Sequence, residues 1–154
     1  MSIKKNSCMF FLFFLGVFVF SVIQYKLSNR GIRRIFYFSS LDSVDIYNEV
    51  RYEPFEIAEN STEQIKYFVD ELLLGAVSSR FRPLFSLGTK VLFCQLDGDV
   101  LYVNLSEEAL LEKGIALPIK DGARFFRMNI LKNFENINTV VMFIGGKQVF
   151  YDEM

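Results

Sequence analysis

The pattern of apolar and polar positions separates a strongly apolar N-terminal segment, residues 6–25, from a mixed remainder. We call the first the apolar head and residues 35–154 the body. Two lysines precede an uncharged stretch from Asn6 to Tyr25, and its central part, the 16 residues from Cys8 to Ile23, is almost entirely apolar. A helix of that length measures about 24 Å, which is less than the ~30 Å of a bilayer core but long for a signal-peptide core. Because no small-residue cleavage pattern follows, we predict an uncleaved transmembrane signal anchor over residues 8–25, with residues 1–7 as a cytoplasmic N-region.

Two strands are predicted after a short polar and basic linker at residues 26–34. Ile35 to Phe38 is a short apolar run typical of a buried strand. Glu49 to Ile57 alternates charged and apolar residues, as a half-exposed strand does. Pro54 favours a place at a sheet edge or a bulge, because proline cannot donate a hydrogen bond to the ladder.

The clearest helix signal begins at Ser61. Ser61 and Gln64 form a capping-box pattern, in which two side chains satisfy backbone groups at the helix start. Apolar residues then recur at helical spacing and form one stripe, made of Ile65, Phe68, Val69, Leu72 and Leu73. Gly75 suits the C-terminal cap, so the pattern predicts a helix that buries this stripe in the core.

A β-hairpin is predicted around Asp97-Gly98, because this dipeptide suits a type I′ turn. Strands 91–96 and 100–105 would then pair at positions whose numbers sum to 195. The face expected in the core consists of Leu92, Cys94, Leu96, Leu101, Val103 and Leu105. The opposite face, which carries Phe93 and Tyr102, is too apolar to be wholly solvated, so we expect a helix, a loop or a partner to cover part of it.

The last third of the chain predicts two helices and a final strand. Ser106 can cap a short helix over residues 106–113, and a longer helix fits residues 121–136. A strand over residues 139–144 is followed by a glycine turn and a return over residues 148–150. The mixed order predicts an α+β domain over residues 35–150, with a small mixed β-sheet and two main helices packed on it, preceded by one N-terminal transmembrane helix.

Charge and composition narrow the possible functions. The 154 residues contain 17 Lys+Arg, 18 Asp+Glu, no His and no Trp; the first 34 carry six bases and no acid, which leaves 11 bases and 18 acids beyond. An acidic body with scattered bases argues against nucleic acid as a partner. The lack of His removes His-based triads and His metal sites.

The remaining chemical groups predict no catalytic site. The paired carboxylates Asp97/Asp99 and Glu107/Glu108 are explained by a turn and by a helix start, and Cys94 suits a small buried apolar position. An acid–base role would need burial that separates the pKa values of two carboxylates. We therefore expect no enzyme activity, no metal and no cofactor.

One loop is a candidate contact surface. Arg80 and Arg82 flank Phe81 just before Pro83, an arrangement that could bind an anionic glycan, a phospholipid headgroup or an acidic partner. The alternative is that Phe81 packs into the core while the arginines are solvated or pair with the acidic body. Phe93 and Tyr102 have the same two interpretations, as a contact surface or as covered core.

Five short motifs occur in order along the body. They are Leu72-Leu73-Leu74-Gly75, Gly88-Thr89-Lys90-Val91, Asp97-Gly98, Val103-Asn104-Leu105-Ser106 and the run from Val140 to Gly145. Together they resemble the GerMN domain, a family named from spore germination and sporulation proteins, over roughly residues 35–150. The chain departs from that family at Ala76, where Pro is common, and at Asn104, where Asp is common. The resemblance implies a small α+β domain outside the cytoplasm, tethered by a signal anchor or a lipid, with no assigned catalytic residues.

Three functional hypotheses follow. The first is a single-pass membrane protein held to membrane lipid through residues 8–25, whose domain lies in the periplasm or at the cell surface. It would act as a non-catalytic interaction module in cell-envelope assembly or maintenance, through self-association or an unknown envelope protein. The second is a binding domain for a cell-wall or lipid fragment, and the third is a hydrolase using Asp97 and Glu107. Bases on both sides of the apolar head leave its orientation open, so the extracytoplasmic placement depends on the resemblance.

Overall fold

The computed structural model describes residues 3–27, 31–42, 45–53, 61–111 and 114–149, with side chains of the first helix described for residues 10–25. The elements within these ranges are α1 (Ile3–Leu27), β1 (Ile32–Ser40), β2 (Ile46–Glu53), α2 (Thr62–Leu73), β3 (Phe81–Arg82), β4 (Val91–Asp97), β5 (Val100–Leu105), a 3₁₀ turn (Glu107–Leu110), α3 (Ile119–Asn133), β6 (Thr139–Ile144) and β7 (Lys147–Gln148). Parts of three predicted elements lie outside the described residues: residues 54–57, residues 112–113 and Phe150.

The apolar head forms one continuous helix, α1, of 25 residues. Its described apolar side chains are exposed, including Phe11, Phe14 and Phe18. Among the residues that the structure describes, no helix combines the length and the apolar character needed to cross a membrane.

The body contains two β-sheets where one was predicted. In the first sheet, β1 lies between β2 and β3, and both neighbours run antiparallel to it. In the second sheet the order is β4–β5–β6–β7, with β5 and β6 parallel and the other pairs antiparallel. The α+β class is confirmed and the second sheet is mixed, but the prediction of a single sheet is wrong.

Two asparagines of α3 explain why the first sheet ends where it does. On the edge opposite β2, β1 pairs with β3 at Ser39 and Ser40. Nearer the start of β1, the side-chain amides of Asn129 and Asn133 bond to the backbone N–H and C=O of Tyr37 and Ile35, respectively, at 2.7–2.9 Å. These amides occupy the backbone groups that another strand would need, so a helix covers this edge of β1.

Helix α2 is confirmed, with the Ser61 half of its predicted capping box and its buried face. Ser61 precedes it, and the Ser61 hydroxyl accepts a hydrogen bond from the Gln64 backbone N–H at 3.1 Å. The whole predicted stripe is buried. Phe68 on this stripe stacks on Phe36 of β1, with ring centroids 4.5 Å apart, and meets Phe134 edge-on at 5.3 Å. Aromatic packing therefore joins α2 to the first sheet and to the end of α3.

The predicted hairpin forms, with a register two positions away from the prediction. Gly98-Asp99 is the two-residue connection and Asp97 pairs with Val100, so the paired positions sum to 197. Gly98 has a φ of 59°, in the left-handed region that glycine adopts without strain. Because side chains alternate with a period of two, this shift leaves each side chain on its predicted face.

A β-bulge changes one member of the predicted core face. The register shifts between Val91 and Phe93, so Leu92 is 60% exposed, and the prediction that it is buried is wrong. The predicted core residues of β5 are fully buried, whereas Cys94 and Leu96 of β4 are partly buried against the core.

Several element boundaries differ from the predictions, including the start of β2, which is Ile46 instead of Glu49. Strand β1 begins at Ile32, so Arg33 and Arg34, which the sequence analysis assigned to the linker, lie in the strand. The predicted helix over residues 106–113 is the 3₁₀ turn Glu107–Leu110, and α3 covers Ile119–Asn133 instead of residues 121–136.

Candidate functional site

The predicted contact loop contains the short strand β3. Arg80 is exposed, whereas Phe81 is half-buried against the core and lies 5.2 Å from the Tyr47 ring, between centroids. Arg82 is half-buried, and its Nη2 donates to the Leu41 carbonyl at 3.4 Å. Phe81 and Arg82 therefore contribute to the fold, and Arg80 is the exposed member of the three.

Phe93 and Tyr102 lie on neighbouring strands of the other sheet. Tyr102 is half-buried and pairs with Gln95, and Phe93 is 52% exposed and pairs with Asn104. Both occupy the face opposite the buried residues of β5. Since β3 belongs to the first sheet and these strands to the second, the structure divides the five candidate residues into two groups.

A larger apolar surface, which the sequence analysis missed, lies at the C-terminal end of α2. Leu74, Val77 and Leu87 are 70%, 87% and 75% exposed, and Leu111 and Ile115 are also exposed. We call these five residues the loop surface. Four of them, all except Val77, line a cleft of about 490 Å³, together with Phe81 and three serines. Leu74 also lines two neighbouring clefts of about 720 and 500 Å³, so it lies at the centre of this region.

Arg51 of β2 forms hydrogen bonds with the end of α2 and with the segment that carries Leu74 and Val77. Its guanidinium donates to the Gly75 carbonyl at 2.6 Å, to the Glu71 carbonyl at 3.0 Å and to the Glu71 carboxylate at 3.2 Å. It also donates to Glu49 at 2.7 Å, and Glu49 accepts the Val77 backbone N–H at 3.1 Å. A cation at the carbonyl end of a helix is favourable, so these bonds hold the segment from Leu74 to Val77 in a defined position.

A buried ion pair links β1, β2 and α2. Arg34 Nε and Glu53 Oε2 are 3.1 Å apart, with the two side chains 8% and 2% exposed. Gln64 donates to the same carboxylate oxygen at 3.2 Å, and the Arg34 guanidinium lies 4.2 Å from the centroid of the Phe134 ring. Burial raises the pKa of Glu53 above its ordinary 4.5, and the interaction with Arg34 opposes this shift without cancelling it. Because both side chains are closed off from solvent, we interpret the pair as structural.

The carboxylates considered for catalysis lie at the surface. Asp97, Asp99, Glu107 and Glu108 are all exposed. A hydrogen bond with Ser106 lowers the pKa of Glu108, which is opposite to the shift that a general acid needs. Within the described ranges, no group of three or more His, Cys, Asp or Glu side chains is placed to hold a metal ion.

The thiol of Cys94 is poorly suited to nucleophilic chemistry. Burial raises its pKa to about 11, with a smaller contribution from the charge of Asp70. A thiol with this pKa stays protonated at neutral pH, and the thiolate is the reactive form. This agrees with the interpretation of Cys94 as a small apolar residue packed against the core.

Comparison with known proteins identifies the family. The fold defines a small α+β domain of the GerMN type, and the family model described as "Germane: Sporulation and spore germination" matches residues 35–150. The chain therefore belongs to the Germane family, which confirms the resemblance found in the sequence. No curated protein matches the chain.

Two solved structures show the same fold. The first GerMN domain of the sporulation protein GerM from Bacillus subtilis is 16% identical, with a TM-score of 0.54 over 77% of this chain and 86% of that one. The tandem GerMN domains of the same protein are 17% identical, with a TM-score of 0.51 over 77% of this chain and 40% of that one. At these identities the similarity shows the fold alone.

Proposed function

We propose that the chain is a membrane-anchored, non-catalytic interaction module that acts in cell-envelope assembly or maintenance. The loop surface is the observation that carries this proposal, because Leu74, Val77 and Leu87 are each at least 70% exposed in one region. Clustered large apolar side chains in contact with water are typical of protein contact sites. The occupant that we propose is an envelope protein or a second copy of the chain.

The apolar character of α1 supports the proposed anchor. Every side chain described in this helix, from Phe10 to Tyr25, is exposed. Leaving apolar surface in water costs about 25 cal/mol per Å², so a helix of this composition is favoured in lipid. We propose that residues 8–25 hold the chain to membrane lipid in a single pass, with residues 1–7 in the cytoplasm and residues 35–150 outside it.

Crosslinking in intact cells tests the interaction surface. Leu74→Asp and Val77→Asp place charges on side chains that are already exposed, so the domain should still fold. We expect these variants to lose the crosslinked partner that the wild-type chain captures. Leu92→Asp is the matched control, because Leu92 is 60% exposed on β4 of the second sheet. A crosslinking pattern that is the same in all three variants and in the wild type would contradict the proposal.

Protease access tests the proposed topology. A tag placed after Met154 should be digested in cells whose outer layers are opened while the inner membrane stays intact. Digestion only after that membrane is permeabilised would place the domain in the cytoplasm and overturn this part of the proposal.

A second candidate function is binding of a cell-wall or lipid fragment at the same region. The cleft of about 490 Å³ favours it, because this volume suits a small ligand and its lining combines apolar residues with Ser78, Ser79 and Ser86. Arg80, exposed and close in sequence to this lining, could bind an anionic group. Arg80→Ala should then weaken sedimentation of the protein with cell-wall material, whereas Arg124→Ala, on an exposed position of α3, should not. Equal binding by the wild type and both variants would remove this candidate.

A further inference from the structure

The outward face of the first sheet differs in character from the rest of the body. We call it the sheet face, and its paired outward positions are Arg33 with Tyr52, Ile35 with Val50, Tyr37 with Asn48, and Ser39 with Ile46. None of these residues is acidic, although residues 35–154 contain 18 acids and 11 bases. An acid-free face on an acidic domain favours a neighbour with negative charge.

The sheet face presents aromatic and aliphatic side chains beside cations. Tyr52 is 61% exposed, Ile46 53% and Val50 40%. Arg33 is exposed, and Lys132 of α3 reaches across so that its Nζ lies 5.4 Å from the centroid of the Tyr37 ring. Tyrosine with a nearby Lys or Arg is the combination that membrane–water interfaces favour, because the ring is amphipathic and the cation meets the headgroups.

The chain connectivity keeps this face close to α1. Helix α1 ends at Leu27 and β1 begins at Ile32. Five backbone steps extend to at most about 18 Å, at ~3.3–3.6 Å per residue. Arg33 is the second residue of β1 and pairs with Tyr52, so both lie at the tethered end of the sheet.

The acids at the same end of the domain determine which orientation is favourable. Asn133, the last residue of α3, bonds to Ile35 near the start of β1. The connection that follows carries exposed Glu135, and its Asn138 bonds to Asp99 at the tip of the hairpin. A domain standing upright on its tethered end would bring Glu135 and Asp99 towards the bilayer, whereas a domain lying on its side would present the acid-free sheet face.

We propose that the sheet face lies against the membrane surface and binds anionic lipid headgroups through Arg33 and Lys132, with Tyr52 and Tyr37 at the interface. This inference rests on the proposed function, because it needs α1 to be anchored in the bilayer. The domain would then be held side-on.

Tryptophan fluorescence of the full chain tests this arrangement. The chain contains no Trp, so Tyr52→Trp and Phe93→Trp each introduce a single fluorophore, on the sheet face and on the second sheet respectively. Each variant is reconstituted into vesicles of phosphatidylcholine with or without phosphatidylglycerol, with a spin-labelled lipid as quencher. We expect quenching and a blue shift for Trp at position 52 with phosphatidylglycerol, and neither for Trp at position 93. Adding Arg33→Glu and Lys132→Glu to Tyr52→Trp should abolish the quenching.

Flotation of the same vesicles separates the two possible failures. If the chain floats with the vesicles but position 52 is not quenched, or is quenched no more than position 93, the sheet-face inference is wrong and the anchor stands. If the chain does not float, both the anchor and this inference are wrong. Equal quenching at position 52 with and without phosphatidylglycerol would overturn the assignment of anionic headgroups.

Discussion

The side-chain amide of Asn129 pairs with the backbone of Tyr37 as a neighbouring strand would. The Tyr37 N–H donates to Asn129 Oδ1 at 2.7 Å, and Asn129 Nδ2 donates to the Tyr37 carbonyl at 2.9 Å. The same Nδ2 also donates to the Phe125 carbonyl one turn earlier in α3, at 2.9 Å. Asn133 repeats the arrangement with Ile35, so two asparagines one helical turn apart attach α3 to the edge of β1.

Asn129→Ala should destabilise the domain. The substitution leaves the N–H and C=O of Tyr37 without these partners at a site where Asn129 is fully buried, and the cost should be about 3 kcal/mol. Urea denaturation of the full chain in detergent measures it. Asn48→Ala, at an exposed position of β2, is the matched control and should change the free energy of unfolding by less than about 0.5 kcal/mol. Equal effects of the two substitutions would contradict the strand-like role of Asn129.

The Glu53 carboxyl should make stability fall as the pH rises. Burial raises its folded-state pKa above the ordinary 4.5, so between these two pKa values the folded state holds more protons than the unfolded state. The stability contributed by protonated Glu53 is full below pH 4.5 and is lost as the pH rises through the raised pKa. Glu53→Gln removes this titration but keeps the shape of the side chain.

Unfolding midpoints of wild type and Glu53→Gln across this pH range test the prediction. Other acids titrate in both proteins, so the difference between the two isolates Glu53. The wild type should lose stability relative to Glu53→Gln with increasing pH. A gain would show that the attraction of Arg34 outweighs burial.

Gly122→Ala should destabilise the packing of α3. An added Cβ would lie 2.3 Å from the Leu84 carbonyl oxygen and 3.1 Å from the Phe85 ring, and the nearer atom belongs to the backbone. Because 2.3 Å to a backbone atom is a severe clash, the shift should cost towards the upper end of about 1–3 kcal/mol, which exceeds the ~1 kcal/mol that Ala gains over Gly in a helix. Gly16→Ala is the control, because nothing lies within 4 Å of its added Cβ. Thermal unfolding should show a loss for the first variant and no loss for the second.

Cys94 should react slowly with thiol reagents in the folded protein. Its pKa of about 11 leaves little thiolate at pH 8, and unfolding in urea should restore fast reaction by removing the burial. A Cys8→Ser background makes the signal specific to Cys94. Gln95→Cys, at the neighbouring exposed position, combined with Cys94→Ser should react fast in the folded state. Fast reaction of folded Cys94 would show that its thiol is not shielded.

The elements that the sequence predicted well are those whose signals are local. The Ser61 cap, the apolar stripe of α2 and Gly75 act within one helix, and the Gly98 turn acts within one hairpin, so each was identified by its own spacing. The predicted faces of the hairpin are correct although the predicted register is wrong by two positions, because successive side chains of a strand alternate between its two faces. The exposure of Leu92 was missed, because a bulge inserts a residue without changing the apolar pattern.

The sequence predicted only part of the candidate site. Of the five proposed contact residues, Phe81 contributes to the cleft of the loop surface, and Phe93 and Tyr102 lie on another sheet. The loop surface joins residues from three separated segments, around Leu74, Leu87 and Leu111, so no single motif predicts it. One signal was available: Leu74 is the third of three consecutive leucines and falls outside the buried stripe of α2.

The sequence alone was enough to predict an apolar head, an acidic body, the α+β class and the family, because these depend on composition and on short-range pattern. Only the tertiary structure decided that Arg34 and Glu53 are buried together, that Asn129 and Asn133 cover the edge of β1, and that one face of the first sheet is free of acids. Each of these features depends on atoms far apart in sequence. Their energies arise from the burial and pairing that folding creates, which residue type and spacing do not specify.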